Sequence, residues 1–221
     1  MASSPVLRIA AWGQYLHWAH LQLQQFTSLA EDDVMAVRIA AISQWLAAEY
    51  VVLEGWRELG MSGAAVSELL QLYPEHCETL RRCRNAVYHY QNELLDSRIT
   101  KCLQNENEEL TWAAALHEEF QRFLAIYPYL HKGTLSEQGE LADEIAACIG
   151  WFPDTTLVGS QFRILRKGLK LYEVVSSDLS PKGDETRAMI ERTNREMTAW
   201  RMDGHLKALK RWPSAGGAGV A

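Results

Sequence analysis

Apolar side chains recur at steps of three and four residues along most of this 221-residue chain, a spacing that is typical of helices with one buried face. Strand-like alternation is hard to find, and glycine and proline are scarce until the last residues. The helical stripe is clearest near the N-terminus, where it runs through Val37, Ala41, Trp45, Ala48, Val52, Trp56 and Leu59. We therefore predict an all-α fold, a multi-helix up-and-down bundle with additional C-terminal helices.

The predicted helices divide into two groups, followed by a tail. The first five segments, within residues 1–132, are expected to form the main bundle. Residues 133–212 are expected to pack as further helices on the same body, because the connection at 150–153 (Gly-Trp-Phe-Pro) is too apolar for an exposed linker. Residues 213–221 are rich in glycine and small residues, a composition that predicts a flexible tail.

Charge and cysteine content restrict the class of protein. The formal net charge of −6 argues against non-specific coating of nucleic acid, because such binding needs a broad positive surface. The four cysteines show no C-x2-C spacing, which favours free thiols in a reducing compartment. The N-terminus lacks a signal-peptide pattern, and charged or polar residues interrupt the most apolar segment, residues 36–56. We therefore expect a cytoplasmic protein without a membrane span.

The most specific motif is Arg84-Asn85-x-x-x-His89, in a segment predicted to be helical from Pro74 to about Leu95. An imidazole can transfer a proton near neutral pH, and a guanidinium can stabilise a phosphate that gains negative charge. On a straight helix Asn85 and His89 share a face, whereas Arg84 lies about 140° away from His89. A second copy of the helix across a two-fold axis can supply the complementary group, so we expect a homodimer.

This motif on a late helix of an α-helical bundle resembles the signature of the HEPN superfamily (higher eukaryotes and prokaryotes nucleotide-binding). The resemblance implies a metal-independent endoribonuclease, in which the motif helices of two protomers form one composite site. It assigns the family's arginine, polar neighbour and histidine to Arg84, Asn85 and His89. It covers the motif and the helical context to about residue 132, and it departs from many members at Tyr90-Gln91, where a small residue often follows the histidine.

The resemblance also implies a biological setting. Members act in toxin–antitoxin, CRISPR and antiphage systems, so RNA and a protein antitoxin or similar partner are expected. Members without nuclease activity exist as well. The rival hypothesis is therefore a catalytically inactive, all-α dimeric interaction module whose partner is a protein. The endoribonuclease hypothesis and the interaction-module hypothesis differ in what they require of Arg84 and His89. Only an enzyme needs both side chains to be accessible in one cleft.

Other basic and histidine residues add weaker expectations. Candidate RNA-binding residues are Arg82 beside the motif and a basic stripe on a later predicted helix, formed by Arg163, Arg166, Lys167 and Lys170. A solvated helix face is the alternative for that stripe, given the acidic total. His17 and His20 share one helix face, but no residue at matching spacing supplies a third ligand, so we predict no metal site and no cofactor.

Overall fold

The computed structural model describes residues 5–30, 34–90, 92, 99, 106–130, 135–153 and 184–210. Seven helices have their bounds within these residues, and a short 3-10 turn, Tyr127–Leu130, follows the fifth of them. The described residues contain no strand, which confirms the predicted all-α helical bundle. In chain order the helices are α1 (Pro5–Thr27), α2 (Met35–Glu58), α3 (Ala64–Leu72), α4 (Pro74–Tyr88), α5 (Glu106–Ile126), α6 (Leu135–Ile149) and α7 (Asp184–Leu209).

Helix α2 lies in the middle of the core and packs against α1, α4 and α5. Its side chains Trp45, Leu46 and Leu53 are almost completely buried, as the apolar spacing of this segment predicts. Full burial of a side chain of this kind stabilises the fold by about 1.5–3 kcal/mol relative to exposure. The apolar content of α2 therefore accounts for its central position.

Two buried tryptophans fix neighbouring helices to one another through their indole N–H groups. Trp12 on α1 donates to the Val52 carbonyl of α2 at 3.0 Å. Trp112 on α5 donates to the Leu69 carbonyl at 3.1 Å, near the C-terminal end of α3, where helical carbonyls lack an intrahelical partner. A buried N–H without an acceptor costs about 1–3 kcal/mol, so both contacts specify how these helices pair.

Gly55 allows α1 and α2 to approach closely. A Cβ atom at this position would lie 2.8 Å from Cδ1 of Trp12, closer than carbon atoms tolerate. The Trp12 ring in turn contacts Trp56 and Phe120, with ring centres 5.9 and 5.8 Å apart. The absence of a side chain at position 55 thus places the α1 indole within the aromatic centre of the core.

The C-terminal helices share this core. Helix α6 packs against α1, and α7 packs against α5 and α3. Ile145 of α6 and Met202 and Leu209 of α7 are buried in the same apolar cluster as Trp12 and Trp112. Helices on both sides of residue 132 therefore contribute to one hydrophobic core.

Helix α2 is long and apolar enough to cross a membrane, judged by length and composition, although charged and polar residues interrupt its apolar sequence. Of the residues in its most apolar 18-residue stretch, 56% are buried inside the protein. The central helix of a soluble core has the same composition, because burial on all sides selects apolar residues just as lipid does.

Candidate active site

The motif helix, α4, is anchored by its apolar face. Pro74 occupies its first turn, where a missing N–H group costs nothing. The buried side chains of this helix recur at steps of three or one, and the helix packs against α2 and α3. They are His76, Cys77, Leu80, Cys83 and Ala86. Arg84 and Asn85 lie beside this buried face and are partly exposed.

Helix α4 ends at Tyr88, so the predicted continuation to about Leu95 is wrong. His89 follows the helix in an extended conformation, with φ −122° and ψ 132°. Tyr88, His89 and Tyr90 are three consecutive residues of only moderate helix propensity, because their rings restrict side-chain rotation against the preceding turn. The spacing of apolar and polar residues, which predicted a longer helix, contains no information about this helix propensity.

The early end of α4 changes the relation between the motif residues. Asn85 and His89 do not share a helical face, and the angle of about 140° between Arg84 and His89 does not apply, because His89 is outside the helix. The geometric reason for expecting a second copy therefore disappears. The homodimer remains a prediction that rests on the resemblance alone.

Arg84 and Asn85 contact each other directly. Nη1 of Arg84 donates a hydrogen bond to Oδ1 of Asn85 at 3.0 Å. This contact restricts the guanidinium at the C-terminal part of α4, a few residues before the exposed His89. The flanking tyrosines are also exposed, Tyr88 to 61% and Tyr90 to 91%. The end of α4 therefore combines a restrained cation, an accessible imidazole and two accessible phenol rings.

Arg82, the predicted RNA-binding residue on α4, shares a carboxylate with Arg81. Glu78 accepts two hydrogen bonds from Arg81, both at 2.7 Å, and one from Arg82 at 3.1 Å. These contacts, led by the hydrogen bond from Arg81, lower the pKa of Glu78 to about 2. Two guanidinium groups thus surround one carboxylate on an exposed surface. The other predicted RNA-binding residues, Arg163, Arg166, Lys167 and Lys170, lie outside the described residues.

One cysteine of α4 contradicts the expectation of free thiols. Cys83, between Arg82 and Arg84, is disulfide-bonded, and its partner lies outside the described residues. Cys77 and Cys148 are free, the first buried and the second exposed. The cysteines therefore do not indicate a reducing compartment.

A buried polar cluster, which the sequence reasoning missed, links α1, α2 and α5. His117 on α5 and Glu49 on α2 are 2% and 0% exposed, and Nδ1 of His117 lies 2.8 Å from Oε2 of Glu49. Nε2 of His117 lies 3.3 Å from Nδ1 of His20 on α1. The Gln121 amide lies 2.8 Å from both of these nitrogens. We call Glu49, His117, His20 and Gln121 the imidazole cluster.

A second polar cluster attaches α7 to α5. Glu119 is 3% exposed and accepts hydrogen bonds from Arg122 at 3.0 Å, Arg201 at 3.2 Å and His205 at 3.1 Å. Burial by itself raises the pKa of Glu119, but the hydrogen bond from His205 and the charges of both arginines lower it to about 2. Glu119 is therefore a buried carboxylate held in its charged form by three basic side chains. We call these four residues the Glu119 cluster.

Both clusters border a cavity of about 930 Å³ between α1, α5 and α7. The sequence carries a signal for the imidazole cluster, because Glu49 and His117 interrupt stripes of buried apolar residues on their helices.

Among the described residues, no three His, Cys, Asp or Glu side chains are arranged to hold a metal ion. His17, considered with His20 as a metal ligand, stacks on Trp151 with ring centres 4.8 Å apart.

No protein-family model matches the chain, and no curated protein or solved structure matches it significantly. The resemblance to the HEPN superfamily therefore stays a prediction that rests on the motif.

Proposed function

We propose that the protein is a metal-independent endoribonuclease and that Arg84, Asn85 and His89 form its active site. The observation that carries the proposal is the contact between Arg84 and Asn85, 3.0 Å long, a few residues before the exposed His89. An accessible proton-transfer group and a restrained guanidinium are together able to cleave RNA without a metal.

The proposed reaction is an internal transfer of the phosphoryl group. His89 removes the proton from the ribose 2′-hydroxyl, whose oxygen attacks the adjacent phosphorus while the bond to the 5′-oxygen breaks. The proton then returns from the imidazolium, through solvent water, to the leaving 5′-oxygen. Arg84 stabilises the negative charge that develops on the phosphate oxygens. Asn85 accepts a hydrogen bond from Arg84 and so positions the guanidinium. The products are a 2′,3′-cyclic phosphate and a 5′-hydroxyl end, and DNA resists because it lacks the nucleophile.

The exposed tyrosines support single-stranded RNA as the substrate. Tyr88 and Tyr90 flank His89 and are 61% and 91% exposed. Unpaired bases stack on accessible aromatic rings, and each such contact contributes about 1–3 kcal/mol. Bases on either side of the scissile phosphate can therefore be held by rings on either side of the imidazole. The net charge of −6 fits recognition at one local site better than coating of long RNA.

A second copy of the chain completes the proposed site, as the resemblance implies. In this dimer the Arg84 of one protomer acts with the His89 of its partner. We place the dimer in the cytoplasm, in a toxin–antitoxin or defence system with a protein that restrains it. If RNA is not cleaved, the exposed end of α4 is a protein-binding surface, as the rival hypothesis of an inactive dimeric interaction module predicts.

The test is cleavage of a fluorescent single-stranded RNA in EDTA. His89→Ala is expected to slow cleavage by about 10²–10⁴-fold, because it removes the proton-transfer group. Arg84→Ala is expected to lose a comparable factor. Arg81→Ala serves as the matched control, since Arg81 is an exposed arginine of the same helix outside the motif. Circular dichroism melts verify the fold of each variant. Equal cleavage by wild type and His89→Ala, or cleavage that needs magnesium, would overturn the proposal.

A further inference from the structure

Helix α1 carries apolar side chains on two opposite faces. The inner face, which includes Ile9, Trp12 and Leu16, is buried in the core. The outer face recurs at steps of four and three residues, and each of its members is exposed; we call it the outer α1 face, and its members are Leu7, Ala11, Gln14, Trp18, Leu21 and Gln25. The outer side of a helix in a soluble bundle normally carries charged side chains, so an exposed apolar face indicates contact with another surface.

An aromatic pair forms the centre of this surface. Trp18 is about half exposed, as are Leu7 and Leu21 along the same face. Tyr15, at its edge, is also exposed, and its ring meets that of Trp18 edge to face, with centres 5.1 Å apart and planes at 80°. Each ring therefore holds the other in place before a partner binds, which lowers the entropy lost on association. Trp and Tyr are also the residues that contribute most to protein–protein contacts.

The outer α1 face carries no charge. Arg8 is the only residue of α1 with a permanent charge, and it lies about 100° from the centre of the face. The face therefore offers no cation to an RNA phosphate or to an anionic membrane surface. Because the chain has a net charge of −6, two copies repel each other at their acidic surfaces and approach most easily at an uncharged face. A second copy of this chain is the occupant that fits the face best.

The spacing of the outer α1 face suits a two-fold axis. Steps of four, three, four, three and four residues read the same in both directions, and this alternation is typical of the seam of a coiled coil. An antiparallel copy places Ala11 opposite Leu21 and Gln14 opposite Trp18, so that smaller side chains meet larger ones. A parallel copy would place Trp18 against Trp18 and Ala11 against Ala11, which crowds one layer and leaves space in another.

The exposed area is close to what a stable dimer needs. The outer α1 face and Tyr15 expose on the order of 600 Å², and each partner in an interface of standard size contributes about 800 Å². Three further apolar side chains are exposed at the start of α2; they are Val34, Met35 and Val37. The segment after α1 lies beside them, because the Arg38 guanidinium donates a hydrogen bond at 2.8 Å to the Ala30 carbonyl. The start of α2 therefore supplies the remaining area.

We propose that the outer α1 face binds the same face of a second copy, with the two α1 helices antiparallel across a two-fold axis. Trp18 of each copy packs against Gln14 of the other, and Leu21 packs against Ala11. The contact extends over about 27 Å of helix, from Leu7 to Gln25. It does not rest on the proposed nuclease, whose composite site uses α4. The α1 contact alone assembles two copies, and together with the α4 contact it assembles four.

The first test is the mass of the full-length chain in solution, measured by sedimentation equilibrium at micromolar concentration. Trp18→Glu is expected to halve the mass, from four copies to two or from two to one, because it weakens the α1 contact about 100-fold or more. Gln24→Glu is the matched control, since it adds the same charge at an exposed position of α1 about 100° from the centre of the face. It is expected to keep the wild-type mass. Circular dichroism melts verify the fold of both variants.

The second test is cross-linking, which reports the orientation of the two helices. In a Cys148→Ser background, which removes the exposed free thiol, Ala11→Cys combined with Leu21→Cys is expected to form a disulfide between copies under mild oxidation. Ala11→Cys alone is the control and is expected to stay uncrosslinked, because the antiparallel arrangement separates the two copies of position 11.

Three results would overturn this inference. Equal masses for wild type and Trp18→Glu would show that the outer α1 face does not bind a second copy. A mass for Gln24→Glu as low as that for Trp18→Glu would assign the effect to added charge rather than to the face. Equal cross-linking of the single and double cysteine variants would exclude the antiparallel arrangement. RNA cleavage by wild type is measured separately, so failure of the α1 contact and failure of the nuclease proposal are distinguished.

Discussion

Replacement of Glu119 by glutamine tests whether the Glu119 cluster holds α7 on the bundle. The carboxylate is 3% exposed and contacts Arg122, Arg201 and His205. Its pKa of about 2, against an ordinary value of 4.5, corresponds to about 3 kcal/mol of stability at neutral pH. A mutational estimate agrees, since removal of one partner of a buried ion pair costs about 3–5 kcal/mol. We therefore expect Glu119→Gln to lower the free energy of unfolding by about 3 kcal/mol.

The assay is thermal and urea unfolding followed by circular dichroism. For a chain of this size the expected loss corresponds to a fall of about 6–12 °C in melting temperature. Glu68→Gln is the control, because Glu68 is an exposed carboxylate on α3, and it is expected to change stability by less than about 0.5 kcal/mol.

The pH dependence has a defined sign. Because folding lowers the pKa of Glu119, its contribution is complete above about pH 4.5 and is lost as the pH falls towards 2. Wild type is therefore expected to lose its advantage over Glu119→Gln between these values. Equal melting temperatures for Glu119→Gln and Glu68→Gln at pH 7 would refute the reasoning, because the buried carboxylate would then contribute nothing to the attachment of α7.

Two further variants test other buried positions. Burial raises the pKa of Glu109 to about 7, so this group favours the folded state fully below pH 4.5 and loses that contribution as the pH rises through 7. In Glu109→Gln the amide oxygen can still accept a hydrogen bond from the Thr79 hydroxyl. This variant is expected to raise the melting temperature at pH 8 and to leave it nearly unchanged at pH 4. Gly55→Ala is expected to destabilise by about 1–3 kcal/mol because its Cβ meets Trp12, whereas Gly139→Ala, with open space around it, is expected to be neutral or stabilising in urea titrations.

The helices could be predicted from the sequence because burial imposes a period on each segment independently. In α2 the stripe through Trp45, Val52 and Trp56 is buried as predicted. Val37, assigned to the same stripe, is 48% exposed, since it lies near the end of the helix. Periodicity thus identifies a helix and its inner face, but it does not state where the contact with a neighbour stops.

The polar clusters could not be predicted in the same way. Glu49 and His117 are 68 residues apart in the chain, and although each interrupts an apolar stripe of its helix, neither position indicates the other as its partner. Only the crossing of α2 and α5 places the carboxylate against the imidazole, and that crossing depends on the packing of the whole core. The end of α4 at Tyr88 was missed for a related reason, since it depends on local preferences that a motif does not contain.

The most direct test of the proposed composite nuclease is to mix two inactive variants. Arg84→Ala and His89→Ala are each expected to be inactive on RNA, and they are unfolded together and refolded as a mixture. If Arg84 of one protomer acts with His89 of its partner, half of the dimers are mixed and each holds one intact site, which restores on the order of a quarter of the wild-type rate. A mixture that stays as inactive as the separate variants, while light scattering shows mixed dimers, would contradict the composite site.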